Sequence, residues 1–188
     1  MKNNQTKQMV RIALFMAVTI LLAATPLGYV YIPVIGLSLT IMVLPVVMGG
    51  ALLGMPAGII LGLTFGVTSL LKAPAEALGQ LLLAYSPFVT AVICIVPRIL
   101  VGVAAALFGR LLARKERYSI YALSGAVCSL VNTVFFVGLI YLFCRESVEG
   151  AFGILVWSTT LVGGLGEAAL AAVLCAAVMK PLRKIIKV

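Results

Sequence analysis

The chain has 188 residues, of which 63% are hydrophobic and 10% are charged, and it contains no histidine. Soluble domains carry about a quarter of their residues as charged side chains, so this composition excludes a soluble globular protein. Without histidine the chain cannot form an HExxH zinc site or a Ser-His-Asp triad, and it also lacks a GxxxxGK[ST] phosphate-binding loop. We therefore expect neither an enzyme nor a protein that holds a metal or a cofactor.

The basic residues are concentrated at a few positions along the chain. Lysine and arginine number 14 against 5 acidic residues, which gives a formal net charge of +9. Most of them fall in three clusters, within residues 2–11, 110–117 and 180–187, and each cluster borders an apolar stretch. This placement follows the positive-inside rule. It predicts that these segments face the cytoplasm and that the partner is a lipid bilayer, not nucleic acid.

Six apolar stretches predict an all-α integral membrane protein with six transmembrane helices, a single domain over residues 1–188, and both termini in the cytoplasm. In chain order the predicted spans are 9–24, 41–53, 57–71, 88–109, 119–143 and 159–179. The second and third are short, because fifteen helical residues cover only about 22 Å of a hydrocarbon core roughly 30 Å thick. We expect this pair to lie against neighbouring helices instead of freely in lipid.

Two connections on the outer side are candidates for covering a ligand. Residues 26–40 contain two prolines, two glycines and two tyrosines, a composition that predicts an irregular outer loop with an interfacial aromatic anchor. Residues 72–85 are expected to form a partly helical outer connection. Tyr29, Thr40 and Tyr85 in these segments are candidate ligand contacts, and each tyrosine is equally well explained as an interfacial anchor.

Small residues recur at a spacing of four in two parts of the chain. Glycines at positions 50, 54, 58, 62 and 66 predict close approach of helix backbones, which is how helices pack in lipid. Ala13 and Ala17 show the same spacing near the cytoplasmic end of the first span. The pair could therefore dock a helix of another protein.

Three polar side chains lie within predicted spans, where a charge costs at least about 2.5–3.5 kcal/mol. Arg98, Asn132 and Glu167 lie 12, 15 and 13 residues from the nearest basic cluster. At 1.5 Å per residue these spacings place them at heights of about 18, 22 and 20 Å. Three helices would thus contribute polar groups at one level, as a solute pocket open to the outside requires. The alternative is a structural Arg98–Glu167 ion pair that touches no ligand.

Arg98 is the preferred ligand contact, because a guanidinium can bind a carboxylate or phosphate through two parallel hydrogen bonds. Pro97 precedes it directly. We expect this proline to break the helix and to free backbone groups for the pocket.

With these residues assembled, the chain resembles the substrate-binding S components of energy-coupling-factor (ECF) vitamin transporters. The similarity covers nearly the whole chain and includes Ala13-x-x-x-Ala17, the long stretch from residue 27 to 71, SPFVTAVICIVPRILVG, VNTVFFVGLIYL and the glutamate-bearing last span. Among S components it looks most similar to the group that includes pantothenate-specific members, with relatives that handle riboflavin and cobalamin.

The resemblance implies a six-helix protein of the bacterial cell membrane that binds a vitamin near the outer face. It also implies two kinds of partner, a membrane-embedded T component and a pair of cytoplasmic ATPases, with Ala13 and Ala17 on the docking surface. Two other classes remain open from the residues alone. A secondary transporter would work without partners, and a membrane scaffold would bind no solute.

Overall fold

The computed structural model describes residues 2–25, 28–32, 37–114, 118–148 and 151–186. Helices dominate these residues, and the one sheet among them is a short hairpin. The elements in chain order are α1 (Lys2–Ala24), β1 (Tyr29–Ile32), β2 (Leu37–Thr40), α2 (Val43–Leu53), α3 (Met55–Lys72), a 3₁₀ turn (Ala73–Ala75), α4 (Ala77–Tyr85), α5 (Pro87–Arg114), α6 (Tyr118–Val148) and α7 (Ala151–Ile186).

The helical, membrane-compatible architecture predicted from hydropathy is confirmed. In the described part of the chain, five helices are long and apolar enough to cross a bilayer; they are α1, α3, α5, α6 and α7. Helix α2 is apolar but has only 11 residues, so its axis is about 16 Å long. A topology of six spans remains a prediction in which α2 is the short member.

The helices run alternately up and down, which brings the basic clusters to one end of the bundle. At this end the Gln8 side chain donates a hydrogen bond to the Leu53 carbonyl, so the start of α1 lies beside the end of α2. The Arg183 guanidinium donates to the carbonyl of Leu112 and to the hydroxyl of Tyr121, which ties α7 to α5 and α6. We call this the basic end, and the opposite end, which carries β1 and β2, the hairpin end.

The prediction of an irregular loop over residues 26–40 was wrong for its described part. Strands β1 and β2 pair antiparallel, with Tyr29 opposite Thr40 and Ile32 opposite Leu37. The sequences YVYI and LSLT explain the pairing, because β-branched, aromatic and hydroxyl side chains suit a pleated strand. Strand β2 also packs against α7. The hairpin thereby covers part of the bundle from its outer edge.

Helix α2 lies inside the bundle, as predicted. The same expectation was wrong for α3, which has 18 residues, is long enough to span a bilayer, and exposes Ile59 and Leu63. Every residue of α2 from Val43 to Gly50 is buried. Its neighbours contribute large buried side chains such as Phe65 and Leu61 from α3, together with Val101 from α5. The four cysteines of the chain are also buried and free, and they pack as small apolar side chains.

The predicted close packing of the glycine row is confirmed for α3. Gly58 lies against the backbone of Gly102, Gly62 against that of Arg98 and Ile99, and Gly66 against that of Ile95. A side chain at any of these glycines would clash with main-chain atoms of α5. The two helices can therefore pack this closely only because the glycines have no side chain. Successive glycines thus fix the antiparallel register of α3 and α5. This register determines where Arg98 lies.

Candidate functional site

Arg98 lies in the middle of α5, and its neighbour Pro97 explains how its side chain is held. Helix α5 is continuous through Pro97, so the expected break is wrong. Proline has no N–H and therefore leaves the carbonyl of the residue four positions earlier without its helical donor. That residue is Ile93, and its carbonyl oxygen accepts a hydrogen bond of 3.1 Å from Nη1 of Arg98. The carbonyl freed by Pro97 anchors the arginine instead of opening the helix.

Restoring the missing N–H should therefore loosen the arginine. In Pro97→Ala the new amide can bond to the Ile93 carbonyl and compete with the guanidinium. We expect an equal or higher melting temperature, since proline is unfavourable within a helix, together with ligand affinity several-fold weaker. Thermal unfolding and ligand titration of the same preparation measure both. Pro181→Ala, which removes the proline inside α7 at the basic end, is the control and should leave affinity unchanged.

Two aromatic rings contact the guanidinium of Arg98. Its carbon Cζ lies 4.8 Å from the centroid of the Phe136 ring on α6 and 5.4 Å from that of Phe65 on α3. Both distances fall within the range of cation–π contacts. The side chain extends toward the start of its own helix, as long side chains in helices do. Arg98 is thereby directed toward the hairpin end and away from the basic clusters.

The guanidinium lines a partly open cavity between α3, α4, α5 and α6. The cavity has a volume of about 50 Å³, enough for a small group and not for a whole vitamin, since drug-sized ligands occupy roughly 300–1,000 Å³. Its walls carry the hydroxyl residues Ser69 and Thr90 and the thiol residue Cys94, and the remaining lining is mostly apolar. A small polar group of a ligand could enter here and meet Arg98.

Glu76 lines the same cavity and was missed in the sequence, where charged candidates were sought only within predicted spans. It lies between the 3₁₀ turn and α4, and its side chain is exposed. Neighbouring protein atoms partly desolvate the carboxyl and raise its pKa above the usual value, whereas the positive charges of Arg98 and then Lys72 act in the opposite direction. The cavity thus pairs one positive and one negative side chain.

The other polar residues predicted within spans do not line this cavity. Asn132 lies four residues from Phe136 on α6, about 6 Å along the axis toward the basic end. It is buried, and its Oδ1 accepts no hydrogen bond from the described residues. The Oγ of Ser129, one turn away, also makes no hydrogen bond with the described residues.

Glu167 is half-buried on α7. It lies between Gly164, which faces Thr133, and Ala171, which faces Gly125. Asn132 and Glu167 thus occupy similar levels of adjacent helices.

The remaining predicted contacts lie at the hairpin end. Tyr29 and Thr40 are cross-strand partners in the hairpin, and their side chains fall outside the described residues. Tyr85 is the last residue of α4, is 53% exposed, and is not among the side chains that line the cavity. Its position fits an interfacial anchor at least as well as a lid.

The predicted docking residues lie on an accessible face of the bundle. Ala13 and Ala17 are both exposed on α1. Large apolar residues on the same helix are exposed as well, including Met9, Leu14 and Leu21. This face is covered by lipid or by another membrane protein, because apolar side chains of this number are not left in water.

Comparison with known proteins assigns the bundle to a family. The family model described as the substrate-specific component of ECF transporters matches residues 7–179. The match includes α3, α5 and α6 entirely, most of α1 and α7, the residues that line the cavity, and Ala13 and Ala17. A search of curated proteins finds no match. The chain belongs to the family of substrate-specific components of ECF transporters.

Proposed function

We propose that this protein captures a vitamin, with pantothenate as the best candidate, from outside the bacterial cell for import powered by partner ATPases. The observation that carries the proposal is the position of Arg98. A cation held within the membrane part of a bundle is costly, yet here it lies on two aromatic rings and borders a cavity at the hairpin end. A carboxylate is the natural ligand for such a group.

Pantothenate suits this arrangement because it has a carboxylate at one end and hydroxyl groups at the other. The cavity admits the carboxylate, and the remainder of the molecule would lie beneath the hairpin. Tyr29, Thr40 and Tyr85 are proposed to lie near the entrance. The predicted contacts Asn132 and Glu167 do not line the cavity, so they would bind the ligand only where it extends past Arg98 toward the basic end. The buried Oδ1 of Asn132, which accepts no hydrogen bond from the described residues, supports this role.

The orientation in the membrane follows from the charges. The basic end carries the described basic residues Arg110, Lys180, Arg183 and Lys184, so the positive-inside rule assigns it to the cytoplasm. The cavity then opens on the external side, where a vitamin has to be captured. Membership in the family implies association with an ECF T component and ATPases, and the basic end would face the ATPases.

Transport by reconstituted protein tests this function. Proteoliposomes that contain this chain alone should not accumulate labelled pantothenate. Liposomes that also contain the T component and ATPases should accumulate it when ATP is supplied on the side of the ATPases. Uptake by the chain alone that collapses with the ion gradient would instead indicate a secondary transporter. Failure of every vitamin to raise the melting temperature would indicate a scaffold.

Substitutions on α1 test the docking surface. Ala13→Trp and Ala17→Trp place a bulky ring where close helix contact requires a small side chain. We expect each to abolish co-purification with the T component while pantothenate affinity stays within about twofold, because these side chains lie outside the cavity. Ala177→Trp, at an exposed alanine of α7, is the control and should still assemble. Normal assembly of both α1 variants would rule out this surface.

A further inference from the structure

Glu76 carries an inference about ligand selection that rests on the proposed vitamin-binding function. In the proposed function Arg98 binds an anionic group, and Glu76, whose side chain lines the same cavity, has no role. We propose that Glu76 is a specificity-determining residue, which accepts hydrogen bonds from O–H or N–H donors on a ligand whose anionic group binds Arg98. The site would then select anionic compounds that also carry such donors.

The carboxylate of Glu76 is available for a ligand. Glu76 occupies the N-cap position of α4, but its side chain makes no capping hydrogen bond. Its main chain is fully engaged, since its amide donates to the Ala73 carbonyl and its own carbonyl accepts from the Gln80 amide. The carboxylate is exposed and offers about four acceptor positions. It is therefore an accessible acceptor on a segment whose main chain is hydrogen-bonded.

The backbone around Glu76 is held in place. Gly79, in the first turn of α4, packs so closely on Ala73 that an added Cβ would lie 2.7 Å from two main-chain atoms of that alanine. The Gln80 side chain donates to the Pro74 carbonyl and closes the same turn. These contacts fix the segment that carries Glu76 over the cavity. A ligand would meet the carboxylate without first having to order a loop.

The size of the cavity and the charge of the ligand together explain why both Arg98 and Glu76 are needed. A cavity of about 50 Å³ accepts little more than a carboxylate, so the body of the ligand has to lie outside it, where the exposed Glu76 side chain is accessible. Every anion that reaches Arg98 brings a second negative charge close to this carboxylate and is repelled to a similar extent. A ligand that also carries hydroxyl or N–H groups gains charge-assisted hydrogen bonds with Glu76, which offset this repulsion. Glu76 thus favours anions that carry such donors over anions that lack them.

A comparison of two ligands in two proteins tests the assignment. The ligands are pantothenate and an analogue that lacks both hydroxyl groups but keeps the carboxylate and the amide, and the proteins are the wild type and Glu76→Gln. In the wild type the analogue should bind at least about tenfold more weakly, as expected for a hydrogen bond to a charged group. In Glu76→Gln this ratio should fall at least about threefold, because the hydroxyl groups then bond to a neutral acceptor, whereas the loss of repulsion affects both ligands equally and cancels in the ratio. Isothermal titration gives all four dissociation constants.

The control is Lys72→Gln, which changes the other charge beside Glu76 at a residue that does not line the cavity. It should preserve the wild-type ratio. A ratio that is unchanged in Glu76→Gln overturns the inference and leaves the transport function intact, as does tight binding of a vitamin that has no anionic group. Failure of every vitamin to bind the wild type removes the proposed function itself.

Discussion

Arg98→Ala should weaken pantothenate binding at least about tenfold. The substitution removes a hydrogen bond between charged groups, which contributes roughly 1.5–3 kcal/mol, and leaves Glu76 as the one charged side chain among those lining the cavity. The remaining negative charge would repel the ligand carboxylate, so the loss could exceed that of the hydrogen bond alone. Titration of purified protein, with melting temperature as the measure of folding, gives the result.

Two further variants show whether the loss comes from this cavity. Arg98→Lys keeps the positive charge but cannot reproduce the flat fork of the guanidinium, so its affinity should be intermediate. Arg110→Ala removes an exposed arginine from the basic end of the same helix and should bind like the wild type. Wild-type affinity in a well-folded Arg98→Ala protein would remove Arg98 from the binding site.

Gly58→Ala should destabilise the protein by about 1–3 kcal/mol, the usual effect of overpacking. An added Cβ would lie 2.9 Å from the carbonyl carbon of Gly102 on the facing helix. The added Cβ and the Gly102 carbonyl are both attached directly to a helix backbone. No side-chain rotation can therefore relieve the contact, and the two helices have to separate. The separation would also move Arg98, because Gly62 on the same row packs against its main chain. Melting temperature and ligand affinity should therefore fall together.

Gly138→Ala is the matched control for this substitution. Gly138 is also a glycine within a helix, but an added Cβ there has no atom within 4 Å. Alanine is favoured over glycine in helices by about 1 kcal/mol, so this variant should be at least as stable as the wild type. Equal stability of the Gly58 and Gly138 variants would show that the α3–α5 contact tolerates separation.

Hydropathy and spacing predicted most of the fold, because both follow from the bilayer. A helix covers most or all of each apolar stretch, and α1, α5, α6 and α7 extend beyond its predicted ends. That these helices form six membrane spans stays a prediction. The predicted span ends differ from the observed helix ends because a polar residue ends an apolar stretch without ending the helix. The glycine row was also interpreted correctly as packing, since the requirement for small residues between close helices is visible in the sequence.

The helix around Pro97 could not be predicted from local rules. Proline removes a hydrogen bond from a helix, and the sequence gives no sign that the neighbouring arginine supplies a replacement. The bond from Arg98 to Ile93 depends on the arginine rotamer, which Phe65 and Phe136 restrict from two other helices. A tertiary contact thus overrides the local preference.

The candidate site was predicted in part. Arg98, which lines the cavity, was named as a candidate because a charge within a predicted span is costly, whereas Glu76 was passed over because charged candidates were sought only within spans. The signal was present in the sequence, since Glu76 is one of only 5 acidic residues and begins a short helix at the outer end of α3. The hairpin was missed for a related reason, because the prolines and glycines of residues 26–40 concealed two short strands.

Native mass spectrometry of the protein purified in detergent tests the central claim that this bundle binds a vitamin at Arg98. We predict a single small molecule of the mass of pantothenate or another vitamin, bound to the wild type and to Arg110→Ala and lost from Arg98→Ala. A wild-type protein that carries no vitamin and is not stabilised by any would contradict the account, as would equal retention of the molecule by Arg98→Ala.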